Sequence, residues 1–364
     1  MNIALIEPYY GGSHQAWADG YQAHSTHDVR LVTHAARFWK WRMHGSFLTL
    51  AAALEHHVEG GWTPDVVLAS SMMDVAAFAG AIRRTLPSVP IATYFHESQF
   101  TYPLSPADKV DFTYQMKNWG SAAVSDLVIF NSEFHRSVFF EKARLFLNAF
   151  PEDKHVHLIQ GIKEESVVLP VGVELSDLGA VGIYRGDVPL IVWNQRWEHD
   201  KGPEELKAIM SELIARDVVF SVAMCGEVFV SVPSTFAEVV DLLGDRLVHH
   251  GYAERSRYEQ LLQSAAVVLS TADQEFFGIG VVEAIAAGAY PVLPDRLVYP
   301  ERIAAIGADP AATLFTSASE AADLIEAVLP KPADSDMRSA VMQYDWSVVG
   351  PSYDESLEAL VATV

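Results

Sequence analysis

Short apolar runs recur along this chain in two series, with helical spacing in most of the intervals between them. Few folds accommodate that alternation. The first series falls at 3–6, 29–33, 66–69, 91–95 and 127–130, and the second at 190–193, 220–224, 247–249, 267–270, 290–293 and 314–316. Strands separated by helices build a parallel sheet covered on both faces. Two series therefore predict an α/β protein with two Rossmann-like domains, and ligands of such sheets bind outside the carboxyl ends of the strands, in the cleft between domains. The chain's 364 residues suit two ordinary cores. In VVLPVGVELSDLG, Pro170 and Gly172 mark a hinge. This gives domains at 1–171 and 172–345. From Trp346 onward, Val348, Leu357, Leu360 and Val361 have helical spacing and predict a terminal helix, 346–364, that packs back on the first domain.

Charge narrows the partners. Lys and Arg number 25 against 47 Asp and Glu, a net charge of −22, which opposes nonspecific attraction to nucleic acid or anionic lipid. A polyanion has to be met by a local patch. The single cysteine, Cys225, has no partner for an intrachain disulfide and reads as a core residue at a strand end. MNIALIEPYY has no basic leader pattern, and no apolar run is long enough to span a bilayer. These features suit a cytoplasmic protein with no membrane contact, and no protein partner is evident.

From Glu275 the chain reads EFFGIGVVEAIAAGAYPV, placing Glu275 and Glu283 astride Gly278 and Gly280. The preceding AAVVLSTA, ending at Ala272, reads as a buried strand and 278–287 as a helix. A glycine-opened helix offers free N–H groups to a phosphate. If the helix begins near Glu275, the two carboxylates share a face and can meet a sugar and a ribose of one ligand. The alternative is an ordinary helix start with a solvated glutamate.

NQRWEHDKGPEEL follows the run at 190–193 and precedes a helix from about Pro203, placing Arg196 and Lys201 at a strand's carboxyl end. A guanidinium and an ammonium there can neutralise a diphosphate. Otherwise Arg196 pairs with Glu198 or Asp200 on a surface loop. His199 is either ligand-facing or solvated. In EPYYGGSHQAW, Gly11 and Gly12 let backbone amides approach a ligand or cap the next helix, with His14 close behind. YFHESQFTYP puts His96 and Glu97 after another strand, where an imidazole can bind a hydroxyl or carry a proton. Asn131 and Ser132 in IFNSEF either line the cleft or cap a helix. Residues 29–54 contain no Asp or Glu, but they hold Arg37, Trp39, Lys40, Trp41, Arg42 and His44. Cations among aromatic rings suit a nucleic-acid loop. A tryptophan-rich core edge with solvated basic residues is the competing view.

Together these segments resemble the retaining GT-B glycosyltransferases of family four, EFFGIGVVE matching their E-x7-E motif. EPYYGGSH, FWKWR, YFHESQFTYP, FNSEF, WNQRWEHDKGPE, EFFG and LVYPE are further similar, in the same order, to the tRNA-queuosine mannosyltransferases. The resemblance implies an acceptor-side first domain and a nucleotide-sugar-binding second domain. It implies transfer of mannose from GDP-mannose to the cyclopentenediol of queuosine, at the wobble position of an aspartate tRNA. Arg196 and Lys201 would then hold the diphosphate, Glu275 the sugar hydroxyls, Glu283 the ribose, and His96 the reaction centre. Phe277, Gly278 and Ile279 would line the donor site, with Gly11 and Gly12 beneath sugar and phosphate, and 37–44 would meet the tRNA. No metal or other cofactor is expected, since cations supply the charge and no Asp-x-Asp pair stands at a strand end. The expected path retains configuration, with the leaving phosphate taking the acceptor's proton. Other readings are a transferase of this fold using another nucleotide sugar, a lipid or a small acceptor; an epimerase; or a noncatalytic binder, in which Lys201, Arg196 or Glu275 should be replaced.

Overall fold

A computed structural model describes residues 1–101, 111–178, 188–228, 232–329 and 335–363. The tail of the YFHESQFTYP motif, Tyr102 and Pro103, lies outside the described residues. The chain forms two compact units, Met1–Val173 with Trp346–Val364, and Glu174–Asp345. The division thus falls after Val173 rather than at the expected 171/172.

The first unit contains β1 (Asn2–Tyr10), β2 (Asp28–Ala35), β3 (Val66–Ser70), β4 (Ile91–Phe95), β5 (Leu127–Phe130) and β6 (Val167–Val168). They pair parallel in the order β2-β1-β3-β4-β5-β6. The second contains β7 (Leu190–Trp193), β8 (Ser221–Cys225), β9 (Leu247–Gly251), β10 (Ala265–Leu269), β11 (Tyr290–Pro294) and β12 (Leu314–Phe315), in the order β12-β11-β10-β7-β8-β9. Strands β3, β4, β7 and β10 are buried along their whole length, which explains why they read as unbroken apolar runs. In each sheet the chain order reverses once, between β1 and β3 and between β7 and β10. Loops on either side of such a point leave in opposite directions and leave room for a ligand at the strands' carboxyl ends.

Strand β10 stops at Leu269, short of the expected Ser270 and Ala272. The reason is side-chain chemistry: Ser270 Oγ accepts the Ala272 amide at 3.2 Å, and Thr271 Oγ1 donates to the Lys201 carbonyl at 2.7 Å, turning the chain out of the ladder. Cys225 ends β8, buried and unbonded as expected. Burial pushes its thiol pKa up to about 12, against a weak opposing pull from Arg257. We therefore expect negligible reaction with a disulfide reagent at pH 8 until the protein is unfolded, when one thiol titrates; prompt native-state reaction would contradict the buried placement.

The helix Trp346–Thr363 belongs to the first unit. Its buried stripe is Trp346, Val349, Tyr353, Leu357 and Leu360. Val348, expected to pack, lies off that stripe and is exposed. Trp346 is seated between two glycines: a Cβ on Gly20 would come within 2.1 Å of its Nε1, and one on Gly172 within 2.2 Å of its Cδ2. Gly172, read as part of a hinge, is thus also a seat for an indole. Tyr353 accepts a bond from Trp17 Nε1 at 3.2 Å and donates to the Pro170 carbonyl at 3.0 Å. Among the described residues, no helix is long and apolar enough to cross a membrane.

Candidate active site

In the second unit, Gly278 adopts φ 85° and opens the helix Ile279–Ala286. Glu275 is therefore not on the helix, contrary to the shared-face expectation; a positive φ at Gly278 breaks the helical run ahead of it. Its Oε1 instead accepts the amides of Phe276 at 3.1 Å, Phe277 at 3.3 Å and Gly278 at 3.1 Å. The carboxylate occupies the donors of its own turn. Glu283 lies within the helix, buried, with Oε1 2.9 Å from Arg255 Nη1 and Oε2 accepting from Tyr258 Oη at 2.8 Å. Burial raises the Glu283 pKa, against the lowering pull of Tyr258 and Arg255. Asn194, leaving β7, donates to the Gly280 carbonyl at 2.7 Å and to Tyr258 Oη at 2.9 Å. A Cβ at Gly280 would lie 2.8 Å from that amide nitrogen, so glycine here lets the helix start approach β7.

Lys201 ends a single 3-10 turn, His199–Lys201, stopped by Gly202 at φ 62°. Its Nζ donates to the Gln274 carbonyl at 2.7 Å and stands 3.2 Å from Asp200 Oδ2 and 3.7 Å from Glu275 Oε2. The structure thus brings Lys201 and Glu275 together, at the carboxyl ends of β7 and β10. The Asp200 carbonyl accepts the Asp273 and Gln274 amides, tying the two loops to each other. A Cβ at Gly202 would meet the Thr271 carbonyl oxygen at 2.0 Å. Arg196 is about half exposed and 3.1 Å from Glu198 Oε2, the pairing left open above. His199 is exposed.

No motif marked the two arginines that brace this turn. Arg296 bonds the Thr271 and Ala272 carbonyls, each at 3.0 Å, and Glu205 at 2.6 Å. Arg302 lies buried between the rings of Phe277 and Tyr344, at 4.5 and 4.9 Å, and donates to the Phe277 carbonyl at 3.1 Å. Their signal, isolated arginines amid apolar sequence near LVYPE, is too common to single out.

In the first unit, Gly11 is the N-cap of the helix Gly12–His24, and a Cβ there would lie 2.5 Å from Ala36 Cβ. Glu7, fully buried in β1, accepts the Tyr9 amide at 2.8 Å through Oε1. Its Oε2 lies 3.1 Å from His14 Nδ1 and 3.7 Å from His96 Nε2. The His14 and His96 ring centroids are 4.2 Å apart, with Trp17 and Tyr94 closing edge-on to His96 at 4.6 and 4.7 Å. Burial, then the neighbouring His14 and His135, hold the His96 pKa well below 6.5, so it is neutral at physiological pH. Asn131 donates to the His96 carbonyl at 2.9 Å, and Ser132 caps the helix Glu133–Asn148. Glu97 accepts from Gln99 at 2.9 Å. Glu7 was quoted in its motif without a role; an acidic residue at a strand's carboxyl end beside a glycine pair was the available signal.

The basic aromatic segment is not a loop. Trp39 begins a helix, Trp39–Glu59, after Phe38 in the left-handed region at φ 54°. Nor is it wholly a core edge: Phe38 and Trp41 are 79% and 66% exposed, whereas Trp39 packs on Tyr114 at 5.2 Å. Lys40 lies 5.5 Å from the Trp39 ring, and the His44 ring lies tilted against Tyr114 at 5.1 Å. Arg37, Lys40 and Arg42 sit at the positive end of the helix dipole with no acid in its first turn, so a bound anion there would be favoured.

Residues 2–173 match the family model described as tRNA-queuosine alpha-mannosyltransferase N-terminal, and residues 184–344 match glycosyl transferases group 1. A Drosophila melanogaster tRNA-queuosine alpha-mannosyltransferase is 34% identical over 318 residues, covering 82% of this chain and 81% of the relative. The chain belongs to the tRNA-queuosine α-mannosyltransferase family. Among solved structures, sucrose-phosphate synthase from Thermosynechococcus elongatus matches with TM-score 0.74 at 15% identity, covering all of both chains. Anabaena HepE in complex with UDP and glucose matches with TM-score 0.70 at 15% identity, covering 99% of this chain and 100% of that one. At that identity the likeness shows the fold, which is GT-B.

As a tRNA-queuosine α-mannosyltransferase family member, the chain is a glycosyltransferase. The group 1 match spans Lys201, Glu275 and Glu283, and the family's N-terminal match spans Glu7, His14, His96 and the basic aromatic helix.

Proposed function

We propose that this chain transfers mannose from GDP-mannose to the cyclopentenediol of queuosine at the wobble position of tRNA-Asp, in the cytoplasm, with retention of configuration and without a metal ion. Support comes first from Lys201 held beside Glu275 at the strand-order reversal of the second unit, and next from the named activity of the fly relative. Lys201 and Arg196 hold the diphosphate. Glu275 exchanges the amides of Phe276, Phe277 and Gly278 for sugar hydroxyls, which releases those N–H groups, with those of Ile279 and Gly280, toward phosphate oxygens. Glu283, positioned by Arg255 and Tyr258, takes the ribose. Gly11 and Gly12 pass beneath sugar and phosphate, and neutral His96 offers a hydrogen bond at the reaction centre. The group 37–44 meets the tRNA.

The test is incubation with labelled GDP-mannose, in EDTA, and tRNA carrying or lacking queuosine, followed by nucleoside analysis. Label on queuosine alone supports the reading. Label on lipid, release of free sugar only, or abolition by EDTA removes the corresponding part.

A second expectation concerns the exposed rings. Trp41→Ala removes a base-stacking platform worth about 1–3 kcal/mol and Arg42→Ala a phosphate contact, so both weaken tRNA binding while leaving donor KM in place. The salt dependence of binding should flatten for Arg42→Ala and keep its slope for Trp41→Ala. Equal loss of donor affinity in either variant would show that this helix does not serve the acceptor.

A further inference from the structure

The helix Trp39–Glu59 is anchored by Met43, Leu50 and Leu54, and its opposite side carries large apolar groups into water. Phe38, Trp41 and Leu48 are 79%, 66% and 63% exposed. At 3.6 residues per turn, Trp41, Gly45 and Leu48 share one stripe, with Phe38 at its head. Gly45 sits inside the helix, where glycine lowers stability relative to alanine. Its surroundings supply the reason. A Cβ at Gly45 would meet Trp41 Cζ2 at 3.0 Å, Cε2 at 3.1 Å and Cη2 at 3.5 Å, and these are its three nearest atoms. Three consecutive ring atoms at such similar distances mean that the ring turns its face to this position, since an edge would bring one atom much closer than its neighbours. The indole is laid flat along the helix, and its exposure belongs to the outer face.

We propose that Gly45 is a positioning residue that holds the Trp41 indole flat, so that its outer face receives one unpaired base of the acceptor RNA. The proposal rests on the transfer reading above and deepens its acceptor side. Charge favours RNA over an apolar protein partner: residues 29–54 contain no Asp or Glu, and Arg37, Lys40 and Arg42 adjoin the ring in sequence. Asp111, just before the neighbouring helix Phe112–Val124, attracts Lys40 and His44, so the pull on phosphate falls to Arg37 and Arg42. Arg42 Nη2 donates to the Ala35 carbonyl at 3.3 Å, which holds the guanidinium near the head of the stripe. Paired RNA keeps its bases stacked on one another and offers no face to the ring, whereas an unpaired loop base does. A ring already immobilised forfeits little freedom when a base settles on it, which is what a glycine seat provides.

The experiment titrates two RNA probes, the anticodon stem-loop of the acceptor tRNA and a fully paired duplex that contains the same sequence. The proteins are the wild type, Trp41→Ala, Gly45→Ala, Gly45→Leu and the variant combining Trp41→Ala with Gly45→Leu, with a melting midpoint recorded for each. Trp41→Ala is expected to weaken stem-loop binding by about 5- to 150-fold, the span of a single base–aromatic stack, and to leave duplex binding as it was. Gly45→Leu puts a side chain in the indole's seat and approaches the same loss, with the salt dependence unchanged because no phosphate contact is removed. Gly45→Ala displaces the ring less and loses less, while raising the midpoint as alanine in a helix interior should. The combined variant binds like Trp41→Ala alone. Wild-type affinity in Gly45→Leu, or a further loss in the combined variant, overturns the positioning role. Equal losses on stem-loop and duplex, or altered sedimentation with stem-loop affinity intact, overturn the platform, the first pointing to a charge effect and the second to a protein-docking face. Either result leaves the transfer reading standing if the wild type still labels queuosine; absence of that transfer removes both. Should Gly45→Leu lower the midpoint, Gly45→Ala decides, and undiminished stem-loop affinity there overturns the proposal.

Discussion

Replacing Lys201 by alanine is expected to lower transfer turnover by about 10²–10³-fold, the usual loss when one preorganised donor to a developing charge is removed. The tRNA affinity should be kept, because the basic aromatic helix belongs to the first unit and this turn to the second. The substitution has a second effect that has to be separated from the first. Asp200 is 1% exposed, and apart from the ion pair with Lys201 its carboxylate oxygens have no hydrogen-bond partner among the described residues. Removing the ammonium strands that charge, which typically destabilises by about 3–5 kcal/mol. Lys201→Ala combined with Asp200→Asn should recover most of the stability in a denaturant melt but none of the turnover. Recovery of both would mean that Lys201 is only a structural counterion, and the diphosphate would have to be held elsewhere.

Trp346→Ala is expected to destabilise the protein by about 3–5 kcal/mol, the range for deleting a large buried aromatic side chain. The upper part of that range is favoured, because the glycines that seat the indole have no side chains with which to refill its space. Val348→Ala, on the exposed side of the same helix, should change stability by less than about 0.5 kcal/mol. Equal effects from the two variants would mean the helix is not docked through its tryptophan. Acid should loosen the same attachment. Burial alone would raise the Asp354 pKa, but donors from Ser25, Thr26 and Tyr21 outweigh it and hold the carboxyl below its ordinary value of 3.8. A depressed folded-state pKa stabilises above the ordinary value, and that contribution is lost as pH falls through the lower one. Asp354→Asn should therefore flatten the acid side of the stability curve.

Most of the fold was legible because the inner strands of both sheets are buried on two faces, which leaves runs such as LVIF and LIVW with no polar interruption to blur their ends. Legibility failed where side chains overrule periodicity. Ser270 and Thr271 continue an apolar pattern yet turn the chain through their hydroxyls, and Phe38 in a left-handed conformation starts a helix in a segment whose composition suggested a loop. Within the site, Lys201 and Glu275 were legible from spacing after strands, but the capping of Gly278 by Glu275 depends on one glycine dihedral that a linear motif does not encode. Glu7, Arg296 and Arg302 act through tertiary contacts between distant segments, and their local sequence carries no sign of those partners.

The first unit is assembled from two segments that flank the second unit in the chain, and this shapes how the molecule is made. During synthesis its sheet emerges early, but the indole that fills the space between Gly20 and Gly172, and the carboxylate that ties down Ser25 and Thr26, arrive only after the entire second unit has left the ribosome. Until then Trp17 and Tyr21 lack their covering. A stalled or C-terminally clipped product should carry a folded second unit beside a loosened first one, an imbalance that a protease or chaperone would detect as exposed aromatic surface.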